Sequence, residues 1–385
     1  MNQPSRDELV ARAAAIGTRL SERAAACEQA RVCPSESVED FFAADLHRML
    51  KPKRFGGYAM GWDVLCETAF ALARGCGAQG WVLTIYNDHA QQLGMFDARA
   101  QDDVWGADER ALLSASFFAG KGGAEKVDGG ARLSGQWEFL SGVDYASWVF
   151  VGASLENAGY FVYLVPRSDI TLIDDWHVVG LAGSGSKSVA IRDAFVPTYR
   201  MMNIADTDAG TALDKSPEVA PVYRMPRRAV AGLGLSSIAV GAALGLMDAF
   251  TLSMRGRKSR GGLIADSQWV QLQTAEAAAA LNAAQLALVT AARGVMQTLG
   301  RGERITMTQR AAAKRDTAYA AMLARQSADR LFAVSGGHHL HLTNALQRCY
   351  RDVLAATAHS ALRWELAAPP YGQIALGLEP APGTW

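Results

Sequence analysis

Leu9, Ala13, Ile16 and Leu20 recur every three or four residues, the spacing of one apolar helix face. The stretch KPKRFGGYAMGWD breaks that pattern with Pro52, Gly56 and Gly57. Trp62 to Arg74 and Gly80 to Phe96 then read as two further helices, the second rich in aromatic and polar groups. From about residue 111 the period shortens. Val127 leads into a Gly129-Gly130 turn, and the runs ARLSGQWEFLSG, SWVFVGASL, GYFVYLVP and KSVAIRDAFVP follow. These are rich in Val, Phe, Tyr and Trp and are bounded by Gly, Asn, Asp and Pro, which predicts an antiparallel sheet or barrel. No strand–helix alternation of a nucleotide-binding α/β domain is present.

Residues 201–224 are polar, aperiodic and interrupted by two prolines, so they read as a linker or surface loop. Beyond them the pattern is helical again. Four segments are expected: Ala229–Phe250, about Ile264–Leu299, about Glu303–Val334 and about Leu342–Leu366. Gly300–Gly302 and Gly336–Gly337 fall where helices need a left-handed stop. Short connections between long helices predict an up-and-down bundle. The expected organisation is α+β: an N-terminal helical domain at 1–110, a central β domain at 111–206, and a linker with a C-terminal four-helix bundle at 207–385.

Composition narrows the function. The chain has 385 residues, 50% of them hydrophobic, and 38 Lys+Arg balance 38 Asp+Glu. That share of apolar residues predicts a packed core rather than disorder. A net charge of zero offers no general attraction for nucleic acid or an acidic membrane. Ala229–Met247 carries no charge, but its Gly, Ala and Ser content suits a buried helix better than a membrane span. The five cysteines are odd in number and lack a CxxC pair, which argues for a reducing cytoplasm and against disulfides or structural zinc. His338, His339 and His341 lie close together, but with few acids and no cysteine pair nearby, no metal site is expected. Gly180–Ser188 resembles a phosphate loop, yet its lysine is one residue out of place and its context is β. GxSxG and GxGxxG are both absent from the sequence.

Three motifs carry more specific chemistry. The first is Trp137-Glu138-Phe139-Leu140-Ser141-Gly142, followed by Asp144-Tyr145-Ala146-Ser147-Trp148. The second runs from Trp176-His177 through Gly180-Leu181-Ala182-Gly183-Ser184-Gly185-Ser186-Lys187 to Phe195-Val196-Pro197. The third is Arg348-Cys349-Tyr350-Arg351-Asp352 with Ala358-His359-Ser360. In these residues, and in its order of domains, nearly the whole chain resembles the acyl-CoA dehydrogenase superfamily. More narrowly, it is similar to the flavin-dependent monooxygenase branch, the oxygenase components of two-component aromatic hydroxylases.

The resemblance implies a reduced flavin, FMN or FAD, delivered by a separate NAD(P)H-dependent flavin reductase. It implies reaction of that flavin with O₂ to a C4a-hydroperoxide, which oxygenates a small phenolic or indole-like substrate. A homotetramer is implied by the resemblance alone. Ser141 would meet flavin N5. Trp137, Phe139 and Ser186 would border the flavin, and Arg257 or Arg260 would contact its phosphate. Gly336 and Gly337 would border the flavin site of a neighbouring subunit. His359 would handle protons, because an unperturbed imidazole titrates near neutrality. His89 and Ser116 would face the substrate, with Phe117, Phe118, Trp81 and Tyr86 as an apolar wall. Each has a plainer reading: Ser141 as a turn serine, His89 and His359 as buried polar groups, Asp88 as a solvating charge, the aromatic residues as core. The arginines read equally as a solvated loop.

In related dehydrogenases a catalytic glutamate falls near the end of the last long helix. Here Ala358, His359, Ser360 and Ala361 occupy that place, and no acid follows until Glu365. This departure favours oxygenation over dehydrogenation. An acyl-CoA dehydrogenase using FAD, a monooxygenase acting on nitrogen or sulfur, and a non-catalytic bundle that binds apolar ligands remain the alternatives.

Overall fold

Helix α1 (Arg6–Ala30) begins at a reciprocal cap: Ser5 Oγ accepts from Glu8 N, and the Glu8 carboxylate accepts from Ser5 N. The computed structural model describes residues 3–117, 119–209, 216–230, 232–259 and 262–380. Among helices of nine residues or more, α2 (Ser35–Ala43), α3 (Trp62–Gly75) and α4 (Gly77–Leu93) complete the first set.

Eight strands follow. They are β1 (Leu113–Ser116), β2 (Ala119–Val127), β3 (Gly130–Leu140), β4 (Trp148–Leu155), β5 (Gly159–Pro166), β6 (Ile170–Ile173), β7 (Lys187–Pro197) and β8 (Met201–Asn203). They form one sheet ordered β6-β7-β3-β2-β4-β5-β8, with β1 also on β4. The sheet is mixed rather than wholly antiparallel, because β1 runs parallel to β4 and Ala124 of β2 meets Leu155 in the same sense. The β2–β3 hairpin supplies the long crossover that a parallel β1–β4 pair requires. Alternation along the strands divides the burial. Val149, Val151 and Tyr163 pack with Trp137 and Val189 in a core of the sheet's own. Phe150, Val162 and Leu164 point the other way, into the core shared with the helices.

The C-terminal part contains α5 (Gly232–Gly256), α6 (Gln268–Gly300), α7 (Met307–Ser335) and α8 (Ala345–Thr357). Gly302 and Gly336 take φ of +76° and +77° after α6 and α7, as helix stops require. Helix α8 ends nine residues short of the expected Leu366. It gives way to the single turn Ser360–Leu362 and two short helices, Trp364–Ala367 and Pro369–Ala375. The segment read as a surface loop is also more ordered than its polarity suggests. It contains β8, a helix at Ile204–Ala209 and a turn at Pro221–Arg224. Val222 and Tyr223 are buried there, with Tyr223 donating to the Leu50 carbonyl and Gln91 to that of Val222.

The charge-free helix α5 runs through the middle of the helices, and 83% of its most apolar window is buried against protein. Its small residues serve close packing. A Cβ placed on Gly241 would lie 2.8 Å from the Ala73 side chain and from the Phe70 carbonyl, and Gly245 faces Arg74 as closely. Helices α3 and α5 therefore approach nearly backbone to backbone. Gly241→Leu is expected to force them apart and lower stability by about 1–3 kcal/mol. Urea unfolding tests this, and a variant as stable as the parent would contradict the close contact.

Candidate active site

The site forms where α4 passes β1 and the loop that precedes β7. Trp81 of α4 donates its indole N–H to Ser141 Oγ at 2.9 Å. Ser141 Oγ lies 2.7 Å from Ser186 Oγ, which lies 2.7 Å from Ser184 Oγ. Ser114 of β1 donates to the Ser141 carbonyl at 2.7 Å, and Tyr86 donates to the Gly142 carbonyl at 2.7 Å. All these side chains are buried. Gly142, at φ +68°, is held against the Tyr86 ring so closely that a Cβ would come within 2.7 Å of its hydroxyl. The turn serine of the sequence is thus a fixed hydroxyl with partners on two sides.

His359 joins this cluster, its ring centroid 6.3 Å from that of Trp81. It does not lie on a long helix as expected. It caps the turn that follows α8, its Nδ1 accepting from Ala361 N at 3.2 Å. A side-chain acceptor here satisfies a backbone N–H that a continuing helix would have used, so the chain can turn. Because Nδ1 accepts, the neutral ring carries its proton on Nε2. The residue is solvent-accessible, yet the protein around it withdraws enough water to lower its pKa.

His89 lies further along α4 and is buried. Its Nδ1 meets the Leu113 carbonyl at 3.1 Å. A carbonyl only accepts, so Nδ1 holds the proton and Nε2 is left as an acceptor. Burial pushes its pKa down to about 4, more than Asp88 and the carbonyl raise it. Phe117 stands edge-on to His89 at 6.1 Å, and the Arg227 guanidinium lies over Phe117 at 5.4 Å. Arg227 binds Asp88 through both its terminal nitrogens, at 2.6 and 2.8 Å, and both groups are buried. Asp88 is therefore not the solvating charge it could have been. Ser116 is buried at the end of β1, beside Val151.

The aromatic motif divides. Trp137 is 0% exposed inside the sheet's own core and donates to the Gly152 carbonyl at 2.8 Å, so it cannot touch a bound cofactor. This corrects the expectation that it borders the flavin. Phe139, two residues on, is 64% exposed at φ +66° and packs edge-on against Trp176 at 5.9 Å. The β3–β7 register slips between Trp137 and Leu140, and that bulge turns Phe139 outward. An exposed Phe139 ring packed on the half-buried Trp176, beside a buried hydroxyl chain, fits a flat, fused ring system with a polar nitrogen.

Arg257 lies in a second cluster. It donates to the Ser335 carbonyl and faces His339 Nδ1 at 3.4 Å, while His339 Nε2 meets Ser253 Oγ at 2.8 Å. A Cβ on Gly336 would lie 2.7 Å from the mobile end of Arg257, and the backbone φ of +77° there favours glycine. Gly337 opens the next turn. No hydrogen bond or ring contact between described residues links this cluster to the serines. Arg260 and Phe118 lie outside the described residues.

Asp88–Arg227 and the link from Ser184 were missed in the sequence. The first pairs residues 139 positions apart, which no local pattern shows. The second was in view as the Ser184-Gly185-Ser186 repeat, where only Ser186 is expected at the flavin.

Residues 233–364 match the family described as "Acyl-CoA dehydrogenase, C-terminal domain". The chain is 35% identical over 369 residues to the flavin-dependent monooxygenase oxygenase subunit HsaA of Mycobacterium tuberculosis (strain H37Rv), covering 94% of this chain and 93% of that protein. It is 33% identical to the FADH(2)-dependent resorcinol hydroxylase oxygenase component of Rhizobium sp. (strain MTP-10005), over 97% and 95% of the two chains. The crystal structure of 3-HSA hydroxylase from Rhodococcus sp. RHA1 superposes with a TM-score of 0.93 at 32% identity, over 99% of this chain and 100% of that one. With whole-chain similarity at this level, in sequence and in fold, the chain belongs to the flavin-dependent monooxygenases of the acyl-CoA dehydrogenase superfamily, as an oxygenase component.

Proposed function

We propose that this oxygenase inserts one atom of O₂ into a small phenolic or indole-like substrate, using reduced flavin from a separate NAD(P)H-dependent reductase. The observation that carries the reading is the pair of histidines in opposite proton states: His89 offers a bare Nε2, and His359 offers an N–H. When bound, the reduced flavin supplies the electrons that activate O₂. The protein's part is to bind, orient and manage protons. His89 Nε2 accepts a hydrogen bond from the hydroxyl of a phenol, which polarises the O–H and makes the ring more electron-rich. His359 donates to the oxygen that departs from the transferred atom. Ser141 holds flavin N5, with Phe139 against the ring edge. Ser116 and Phe117 line the substrate side with Trp81 and Tyr86 behind them, Arg257 takes the flavin phosphate, and Gly336–Gly337 border the flavin site of a neighbouring subunit. Asp88 neutralises Arg227, so the wall beside Phe117 suits a neutral aromatic molecule.

The dehydrogenase alternative needs a carboxylate at the site. Glu365 is exposed and sits 3.8 Å from Arg363, and Asp352 is committed to Leu181 N at 2.7 Å. The apolar helix α6 is largely exposed, with Trp269, Leu272 and Leu286 standing out along it. That face supports assembly with copies of the same chain, a homotetramer by the family expectation. The five free cysteines, four of them buried, support a cytoplasmic enzyme.

Supplied with FADH₂ or FMNH₂, O₂ and a panel of phenols and indoles, the chain alone is expected to yield a hydroxylated aromatic product. His359→Asn is expected to lower kcat by roughly 10²–10⁴-fold while flavin still binds. A protein that is yellow as purified and bleached by an acyl-CoA would overturn the reading.

Two stability measurements test the site's electrostatics. A buried histidine with its pKa lowered from 6.5 to about 4 binds its proton in the unfolded chain before it does so in the folded one. Its contribution is present above pH 6.5 and is lost as pH falls toward 4. The stability difference between wild type and His89→Gln should therefore shift against wild type by roughly 2–3 kcal/mol between pH 7 and pH 4.5. A pH-independent difference would mean that His89 is not held neutral. Asp88→Asn strands the buried Arg227 charge and is expected to cost about 3–5 kcal/mol in urea unfolding. A loss below about 1 kcal/mol would place the pair in solvent.

A further inference from the structure

We infer that Ser186 and Ser184 are positioning residues that set which way the Ser141 hydroxyl points, and that this direction lets the site distinguish reduced from oxidised flavin. The inference rests on Ser141 facing flavin N5, as proposed above. It follows from counting protons and lone pairs.

A serine hydroxyl has one proton to donate and two lone pairs to accept with. On Ser141, one lone pair is taken by Trp81, whose indole N–H can only donate. The second partner is Ser186 Oγ at 2.7 Å, and either oxygen of that pair is able to donate. Ser184 Oγ, 2.7 Å from Ser186, extends the chain by one more reversible bond. All three serines and Trp81 are buried, so bulk water does not compete freely for these bonds.

Two orientations follow. If Ser141 donates to Ser186 and Ser186 to Ser184, Ser141 keeps one free lone pair and presents an acceptor to its remaining neighbour. If the chain runs the other way, both Ser141 lone pairs are filled and its O–H points outward as a donor. Flavin N5 carries a hydrogen when reduced and a bare lone pair when oxidised. The first orientation therefore matches reduced flavin and the second matches oxidised flavin. An oxygenase fed with reduced flavin needs the first, and only an inward acceptor at Ser186 makes it available. Without Ser186 the Ser141 proton has no partner within the chain and turns toward N5, where it opposes the N5 hydrogen.

Anaerobic titration of the purified protein with oxidised FAD and with dithionite-reduced FAD measures this without turnover. Ser186→Ala is expected to weaken binding of reduced flavin by about 3- to 10-fold, the scale of one net hydrogen bond, while oxidised flavin changes less than about 2-fold. Ser184→Ala should act in the same direction but less strongly, and Ser186→Thr, which keeps the hydroxyl, should restore the preference. Equal changes in both affinities, or none, would overturn the relay. Ser141→Ala separates the two levels. If it alters the ratio and Ser186→Ala does not, the relay alone fails. If Ser141→Ala alters neither affinity, the placement of Ser141 at N5 fails, and the relay with it.

Discussion

The site depends on one bond across the seam between the sheet and the helices. The Asp352 carboxylate of α8 accepts the Leu181 N–H at 2.7 Å. Burial raises the pKa of Asp352 to about 6, against the opposing pull of that same bond. Around the bond, the loop leading to β7 has little freedom. Leu181 is left-handed at φ +54°, Gly180 lies against the Arg351 carbonyl with no room for a Cβ, and Arg351 donates to Val179 O at 2.6 Å. From the other side, Cys27 of α1 closes on Gly183, and Arg31 holds Asp174 through two bonds at 2.7 and 2.8 Å. A loop clamped from both α1 and α8 delivers Ser184 and Ser186 to Ser141 at fixed distances. Hydroxyl chains need this, because a hydrogen bond weakens steeply when its geometry is lost.

The electrostatics of the site are costly to the fold. His89 is kept neutral by burial and Asp352 is buried as an acid, so their effects on stability run in opposite directions with pH. Stability from His89 declines as pH falls below its ordinary value. The burden of Asp352 is lifted over the same range, because the folded chain takes up that proton first. The Asp88–Arg227 pair adds a third buried cost, offset only because each charge has the other at bidentate range. Buried groups with displaced pKa values gather at functional sites for the same reason they are expensive: low dielectric strengthens every interaction there.

Several expectations failed in informative ways. Trp137 and Phe139 are two apart, so a regular strand would put both on one face. A register slip sends one inward and the other out, and nothing in WEFLSG announces it. His359 falls within the last expected helix, about Leu342–Leu366. The helix ends at Thr357, and His359 caps the turn that follows, its Nδ1 accepting from Ala361 N. The 201–224 segment looked solvated by composition, yet Val222 and Tyr223 are drawn under α4 by partners at Gln91 and Leu50.

Periodicity and turn chemistry within the chain determined the order of helices, strands and bundle, since those are set by neighbours a few residues apart. The resemblance carried by the three motifs marked Ser141, His89 and His359 as chemistry-bearing groups. Tertiary structure alone decided what state those groups are in. That His89 holds its proton on Nδ1, that Asp88 is paired and that Asp352 is buried against Leu181 depends on partners 24, 139 and 171 positions away. Such partners meet only when the sheet closes on the helices, and burial at that seam then sets their protonation.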